Sequence, residues 1–401
     1  MNDDRAILYN LPPVYNRVEK HGAFPDISHD ETARFNFLTG LNRHLNRIVE
    51  PGVKAIFEKR VRPRFEAQTG RLFTTADEIQ EMMMQDSQYQ VGSALRRSTI
   101  EMIQQATRSV VLRQIDELAE KARYYNNQRP ETLKLNPAVE IPCYLSVIDQ
   151  GCMPGSYYTE YGNDDVTNAA NYDAGQFLIT DGRLGKLSDG IGRGLVQWLR
   201  LNYPTFSPKQ ILDIGCGSGY QTLPVAMGYP DADIIGVDVS APMLRYGHAR
   251  MVALGVDKVT FWQANAEQLP FVDNSFDLVF TTRFLHEIPA NSVEAIIQEI
   301  YRILKPNGLM LHIDQAGNAE AIPLFDQFVH NWRALTNNEL FSLDIPQRNI
   351  VKWLHSGGFA ERDRLQFGIE VINDFAGKST PIEAGAERVA PLIQHVFGGW
   401  K

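Results

Sequence analysis

The chain has 401 residues, of which 44% are hydrophobic and 22% are charged, an ordinary composition for a globular protein. This composition excludes collagen, disorder and a disulfide scaffold, and the length, at roughly 150 residues per domain, predicts two or three domains. The formal net charge of −9 argues against a protein that mainly coats nucleic acid or anionic lipid.

Residues 31–125 have the residue spacing of helices. Apolar residues recur every three or four positions over residues 100–122, which predicts one long helix that begins near Ala94 and buries a single apolar stripe. The predicted partners of that stripe are segments separated at Pro51-Gly52 and Thr69-Gly70, namely residues 31–49, 53–64 and 76–89. Proline and glycine then punctuate residues 126–173, which indicates a connector or an irregular lid.

Strands and helices alternate from residue 182 onward. The predicted strands are residues 210–214, 233–238, 259–264, 276–281 and 309–314, and the helices around them are residues 186–201, 220–227, 242–254 and 292–304. This alternation predicts a parallel sheet covered by helices on both faces. Residues 347–356 predict one more helix, and residues 362–368 and 370–375 predict a hairpin that closes the sheet.

A glycine-rich turn follows the first of these strands and opens a helix. It reads G-x-G-x-G from Gly215 to Gly219, and Asp213 stands two positions before the first glycine. Glycines suit a place where a ligand must approach the backbone closely. A dinucleotide fingerprint would need a glycine or alanine where this chain has Tyr220. The next strand ends in Asp238, whose carboxylate could accept both hydroxyls of a ribose.

Further motifs follow the remaining strands in order. They are Ala264 to Phe271, Ser275 to Thr282, His286 to Pro289 and Leu304 to Met310. Together with the glycine turn they resemble the class I S-adenosylmethionine-dependent methyltransferases, in particular the small-molecule branch with a D-x-G-x-G-x-G loop and an L-K-P-x-G turn. The resemblance covers about residues 172–368. It implies an α/β, Rossmann-like, doubly wound and mostly parallel seven-stranded sheet, S-adenosylmethionine as cofactor, and methyl transfer to a small-molecule metabolite by direct displacement.

The resemblance also implies which residues hold the cofactor. Asp213 would help to hold the methionyl end, while Gly215 and Gly217 would let the backbone pass beside the cofactor. Asp238 would hold the ribose, and Met243 stands where an apolar side chain often covers the adenine. These positions form the first part of the expected cofactor site.

Three further positions complete that expectation. Asn265-Ala266 stands where the family usually has Asp-Ala, so the adenine amino group would meet an amide oxygen without charge assistance. Thr281 ends a strand near the expected sulfonium. Tyr172 resembles a tyrosine that some relatives place against the cofactor's carboxylate, and a plain packing role is the alternative.

His286, Asp314 and Arg283 are the candidate catalytic residues, because they lie where the carboxyl ends of the strands meet. His286 could transfer a proton or only pack at a helix start, and Asp314 could touch the substrate. Arg283 could pair with a carboxylate or phosphate on the substrate, or with an acidic group between domains. His312 is expected to be a core histidine, because its strand is buried on both faces.

Residues 1–165 lie outside the resemblance, so the predicted domains are a mainly helical accessory domain over 1–165 and a catalytic domain over 166–401. The accessory domain could cap the acceptor site, with Tyr157 and Tyr161 as capping residues, or form a homodimer. The helical segment 322–335 has the same two possible roles. Two alternatives stay open: methylation of RNA or protein with this domain as docking module, and a cofactor-binding scaffold without activity.

The remaining expectations concern compartment and metal. Three cysteines make no disulfide framework, no signal peptide is visible, and no apolar run approaches the ~18–20 residues that span a bilayer. These features favour a cytoplasmic protein with no membrane partner. The spacing of cysteine and histidine predicts no metal site. The acceptor atom, whether oxygen, nitrogen, carbon or sulfur, is left open.

Overall fold

The computed structural model describes residues 14–314, 322–343, 349–375 and 392–401. The N-terminal part of the described chain is helical, as predicted. Its helices are α1 (His29–His44), α2 (Glu50–Ile56), α3 (Arg62–Thr69), α4 (Ala76–Met83), α5 (Ser87–Leu112) and α6 (Ile115–Asn126).

The first three helices form one continuous rod, so the break predicted at Pro51-Gly52 is wrong. Two π-helical turns, Leu45–Val49 and Phe57–Val61, join the α-helical pieces. Pro51 and Pro63 each follow a π-helical turn, and a proline cannot donate to the carbonyl four residues earlier. The wider turn accommodates the missing hydrogen bond, so the helix continues. It ends as predicted at Gly70, where φ is +70°.

The long helix begins and ends differently from the prediction. It begins at Ser87, because the Asp86 side chain accepts from the backbone N–H groups of Gln88 and Tyr89. It stops at Leu112, and α6 begins two residues after Arg113. The Gln114 amide both accepts from the Asp26 N–H at 2.9 Å and donates to the Asp26 carbonyl at 3.0 Å. A contact distant in sequence therefore accompanies the break.

The second half forms the predicted α/β sheet. The described strands are β1 (Leu133–Lys134), β2 (Gln210–Ile214), β3 (Asp233–Asp238), β4 (Thr260–Gln263), β5 (Phe276–Thr282), β6 (Leu304–Asp314), β7 (Arg364–Glu370) and β8 (Ile393–Trp400). Their order is β1-β4-β3-β2-β5-β6-β8-β7. The pairs from β1 to β6 are parallel, and β8 is antiparallel to both β6 and β7. The fold class is confirmed.

Two details of the sheet differ from the prediction. The described residues form eight strands, not seven, because β1 comes from the expected connector and pairs with β4. The strand predicted over 370–375 is wrong, since β7 pairs with β8 near the end of the chain. A Cβ on Gly398 of β8 would lie 1.9 Å from the Met310 carbonyl oxygen. The glycines that weaken the strand signal in the sequence therefore permit this close pairing.

Helices cover both faces of the sheet. The helices after α6 are α7 (Cys143–Ser146), α8 (Thr167–Thr180), α9 (Gly190–Asn202), α10 (Thr222–Gly228), α11 (Ala241–Ala253), α12 (Ala290–Ile303), α13 (Leu324–Asn337) and α14 (Ile350–Ser356). Of these, α9, α10 and α11 pack on one face of the sheet, and α12 and α14 pack on the other. Side chains alternate along β2, so Ile211 packs into one core with α9 while Leu212 packs into a second core with α12. The loops at the carboxyl ends of the parallel strands are thereby left free to form a site.

The N-terminal helices share cores with the sheet half. Val111 and Leu118 pack with Met243 and Tyr246 of α11. A second shared core joins the first helices to α13. The boundary between residues 165 and 166 stays a prediction, and packing is continuous across it.

The described residues contain neither a membrane-spanning helix nor a cluster of metal ligands. None of the helices there combines the length and the apolar character that crossing a bilayer requires. Within those same residues, no three side chains of histidine, cysteine, aspartate or glutamate are grouped so that they could bind a metal ion.

Candidate active site

A cleft opens at the carboxyl ends of β2 to β5. Its lining includes nine of the predicted site residues, namely Tyr172, Asp213, Gly215, Gly217, Asp238, Met243, Asn265, Ala266 and Arg283. The other three predicted residues, Thr281, His286 and Asp314, are not part of the lining. The lining comes largely from the loops that follow four neighbouring strands.

The glycine turn gives the cleft a floor without side chains. Gly215 and Gly217 have φ values of +69° and +52°, a region that favours glycine. A Cβ on Gly215 would lie 2.3 Å from the ring of Phe284, so that position is closed. A Cβ on Gly217 would meet no atom within 4 Å, so it would project into open space. Gly217 therefore leaves room for a ligand against the backbone.

Two carboxyl groups flank this turn, of which Asp213 is buried and Asp238 is half-buried. Thr222 Oγ1 donates to Asp213 Oδ2 at 2.6 Å, and burial raises the pKa of Asp213 to about 8. Asp238 accepts from the backbone N–H groups of Gly217 and Ser240, both at 2.9 Å, and burial raises its pKa as well. Neither forms an ion pair with a cation among the described residues. A ligand that offers a cation or hydroxyl groups would supply the missing partner.

The cleft lining also includes Met243, Asn265 and Ala266, from the loops after β3 and β4. Asn265 Oδ1 accepts from the Glu267 N–H at 2.9 Å, which fixes the amide and leaves the oxygen one further acceptor position. Met243 is buried, and its sulfur accepts from Ser218 Oγ at 3.4 Å. This part of the lining thus pairs an apolar surface with one oriented acceptor.

Thr281 and Thr282 end β5, and their side chains point to opposite faces of the sheet. Thr281 Oγ1 lies 2.7 Å from Nδ1 of His312, and both residues are fully buried. Burial lowers the pKa of His312 to about 4, so this is a neutral core histidine, as expected. Thr282 lines the cleft, and its hydroxyl has no partner among the described residues. The side chain that reaches the cleft from β5 is therefore Thr282.

His286 and Asp314 form a buried ion pair behind the cleft wall. Nδ1 of His286 lies 2.8 Å from Asp314 Oδ1, and its backbone N–H donates to Oδ2 at 3.2 Å. Burial alone would lower the pKa of His286, but Asp314 and Glu287 together raise it to about 10. His286 is therefore protonated at neutral pH. The role of His286 as a base stays a prediction that this charge state does not favour.

Glu287, which follows β5 directly after His286, lines the cleft. Its Oε1 accepts from the Tyr157 hydroxyl at 3.1 Å and lies 3.3 Å from Nε2 of His286. Its Oε2 is buried and has no partner among the described residues. Glu287 thus presents a carboxylate oxygen with unused acceptor capacity beside the cleft.

Arg283 also lines the cleft, in an unusual backbone conformation. Its φ is +52°, and its N–H donates to the Ile313 carbonyl at 2.7 Å. The side chain is accessible to solvent although protein surrounds it, because it faces the interior of the cleft. Among the described residues, no side chain forms a hydrogen bond or an ion pair with its guanidinium. Burial opposes the charge, but Tyr172, Glu339 and other acidic groups raise its pKa.

Tyrosines also form part of the cleft walls. Tyr144, Tyr157, Tyr158 and Tyr172 contribute to the lining, and the rings of Tyr157 and Tyr172 meet edge to face at 5.5 Å. Ser240 Oγ donates to the Tyr157 carbonyl at 2.7 Å, which ties this wall to the loop after β3. Tyr161 is 58% exposed and is not part of the lining.

Residues 211–308 match a family model described as a methyltransferase domain. The chain is 31% identical over 149 residues to the malonyl-[acyl-carrier protein] O-methyltransferase of Legionella pneumophila, covering 37% of this chain and 49% of that protein. It is 34% identical over 170 residues to the demethylmenaquinone methyltransferase of Symbiobacterium thermophilum, covering 41% of this chain and 62% of that one. The chain therefore spans about half to three fifths of the length of these relatives.

Solved structures show a weaker likeness. YcgJ of Bacillus subtilis is 21% identical with a TM-score of 0.37, over 51% of this chain and 97% of that one. Phosphoethanolamine N-methyltransferase 2 of Haemonchus contortus is 23% identical with a TM-score of 0.34, over 44% of this chain and 38% of that one. Both scores are low, so no residue role is transferred from these structures.

Proposed function

We propose that this chain, whose residues 211–308 match a methyltransferase domain, is a class I S-adenosylmethionine-dependent methyltransferase that transfers a methyl group from that cofactor to a small molecule. The observation that carries the proposal is the continuity of the cleft. One end has a glycine floor with two carboxyl groups, and the other end has tyrosine walls with Arg283 and Glu287. A cofactor and an acceptor could therefore lie end to end in one enclosed space. The methyltransferase names of the two relatives support the reaction class.

The first end of the cleft has the chemistry that S-adenosylmethionine needs. Gly217 offers open backbone, and the carboxyl groups of Asp213 and Asp238 have no cationic partner among the described residues. We assign the ammonium group to Asp213, the ribose hydroxyls to Asp238 and the adenine to Met243 and Asn265. The charge of the sulfonium cofactor complements these carboxylates.

The remaining work of the site is alignment and proton removal. When bound, the cofactor supplies a methyl group on a sulfonium, which an aligned nucleophile can displace. Glu287 is the group we assign to accept a proton from that nucleophile, through its unpartnered Oε2. Protonated His286 contacts the other oxygen of Glu287, while Asp314 holds the charge on His286. We thus assign His286 and Asp314 positioning roles.

The N-terminal region contributes to the acceptor end. Tyr144, Tyr157 and Tyr158 all precede residue 166, yet they line the cleft, and the Tyr157 hydroxyl donates to Glu287. We infer that this region closes the acceptor site and excludes water from it, which protects a reactive sulfonium from side reactions. The walls are close and aromatic, a shape that suits a small acceptor better than a folded RNA or protein.

The test is calorimetric titration with S-adenosylhomocysteine, followed by transfer of labelled methyl from S-adenosylmethionine. We expect Asp238→Ala to weaken binding by roughly 10- to 100-fold, because an acceptor of hydroxyls is lost. The matched control is Asp233→Ala, at the exposed opposite end of the same strand, which should bind like the wild type. Absence of binding, or label in RNA or protein but never in a metabolite fraction, would contradict the proposal.

A further inference from the structure

Arg283 and Glu287 together define the chemistry of the missing acceptor. We propose that the acceptor carries a carboxylate, which pairs with the Arg283 guanidinium, and a hydroxyl or amine, which donates to Glu287 Oε2 and receives the methyl group. This inference rests on the proposed function and names its substrate class. The cleft lining and the unsatisfied polar groups on it carry the argument.

The guanidinium is an unused binding group. Arginine offers five N–H donors in a planar fork that matches a carboxylate. No described side chain accepts from Arg283, although Tyr172, Glu287 and Glu339 are near enough to act on its charge. The side chain is exposed and lines the cleft, so its N–H donors are open to a ligand that enters. The acceptor is the component of the reaction that can pair with them.

The backbone at Arg283 supports a functional reason for this residue. A non-glycine residue with positive φ costs free energy, and long side chains are rarely found there. The other described residues with positive φ, apart from glycine, are asparagine, aspartate, serine and cysteine. Glycine would relieve the strain at Arg283 and keep the N–H bond to Ile313. The chain thus tolerates a strained conformation in order to present an arginine to the cleft.

A monoanion fits these surroundings better than a dianion. One guanidinium faces the site, while Glu287, Glu339 and Asp314 lie within electrostatic range of it. A phosphate dianion would meet one positive and several negative groups, whereas a carboxylate satisfies the fork without excess charge. The tyrosine walls add an apolar and aromatic surface for the body of the molecule. These features favour a small aromatic carboxylic acid that bears a hydroxyl or an amine.

The experiment uses the full chain saturated with S-adenosylhomocysteine. The probes are para-hydroxybenzoate, para-aminobenzoate and para-hydroxyphenylacetate, each beside its methyl ester, with phenyl phosphate as the dianion. Binding is measured by calorimetry on wild type, Arg283→Gly, Arg283→Gln and the surface control Arg62→Gln. Methyl transfer to each bound acid is measured with labelled S-adenosylmethionine, and it is repeated with Glu287→Gln across a range of pH.

We expect at least one acid to bind and its ester to bind more weakly. Both Arg283 variants should bind that acid roughly 10- to 100-fold more weakly than the wild type, while Arg62→Gln should bind it with unchanged affinity. Glu287→Gln keeps an acceptor oxygen but cannot take up the proton, so it should slow methyl transfer by roughly 100-fold or more. The inference is overturned if no acid binds, if the esters bind equally, if phenyl phosphate binds best, or if Arg283→Gly binds the acids like the wild type. S-adenosylhomocysteine binding, measured on the same samples, separates these outcomes from failure of the proposed function.

Discussion

The two ends of the cleft are built in different ways. The cofactor end uses backbone and side chains from the ends of neighbouring strands, where Gly217, Asp213 and Asp238 meet. The acceptor end brings together Tyr157 and Arg283, which are far apart in the sequence. The first end is a short local motif, and the second depends on how distant segments pack. The contrast explains why reaction class is easier to infer than substrate.

The largest expected effect falls on the cofactor end. Gly217→Val would place a branched side chain in the open space of the cleft, so we expect S-adenosylhomocysteine binding to weaken by at least about 100-fold. Gly70→Val is the matched control, because its φ is also positive and its Cβ would meet no atom within 4 Å. Calorimetry should show near-normal binding for Gly70→Val. An equal loss of binding in both variants would mean that backbone strain, rather than a side chain occupying the space of the ligand, explains the weaker binding.

The second prediction concerns the ion pair behind the acceptor end. Asp314→Asn removes one partner of a buried pair and should lower the free energy of unfolding by about 3 kcal/mol at pH 6. The folded pKa of His286 is raised to about 10, above its unfolded value. Its stabilisation is therefore full below pH 6.5 and is lost as the pH rises through about 10. Denaturant titrations at pH 6 and near pH 10 should show that the difference in free energy of unfolding between the wild type and Asp314→Asn shrinks as the pH rises. A difference that stays constant would exclude this linkage.

The third prediction separates the two ends by pH. Burial raises the pKa of Asp213 to about 8, and a bound ammonium group would favour its ionised form. Binding then releases a proton, so affinity for S-adenosylhomocysteine should rise roughly 50-fold from pH 6 to pH 8 and level off above pH 8. Asp213→Asn removes this dependence and controls for the ligand's own titration. A parallel slope in both proteins would place the titrating group elsewhere.

The smallest effect belongs to one hydrogen bond of the acceptor end. Tyr157→Phe deletes the hydroxyl that donates to Glu287 and should lower stability by about 1 kcal/mol. Because Tyr157 contacts the acceptor end, affinity for S-adenosylhomocysteine should stay unchanged. A marked loss of that affinity would show that the two ends are not independent.

The sequence predicted the fold well because most of its strands are continuous apolar segments between helices. The bounds of β2 and β3 were predicted correctly. The predictions failed where a distant contact decides the outcome, as at Gly398, which allows β8 to approach β6 closely. The helix break at Pro51 failed for a local reason, since a π-helical turn absorbs the missing hydrogen bond.

The site could be predicted only in part for the same reason. Residues in the glycine turn and at strand ends line the cleft, because topology fixes where strand ends lie. The sequence does not show that His286 and Asp314 pair behind the wall while Glu287 lines the cleft. A sheet whose faces alternate also decides that Thr282, not Thr281, reaches the cleft from β5. Such choices depend on register and packing, which composition cannot reveal.

A crystal structure with S-adenosylhomocysteine would test the central claim most directly. We predict that the ligand lies along the glycine turn, with its ribose at Asp238 and its sulfur directed toward Arg283 and Glu287. That placement would put the departing methyl between the two ends of one cleft. A ligand bound elsewhere, or one whose sulfur faces away from Arg283 and Glu287, would contradict the account.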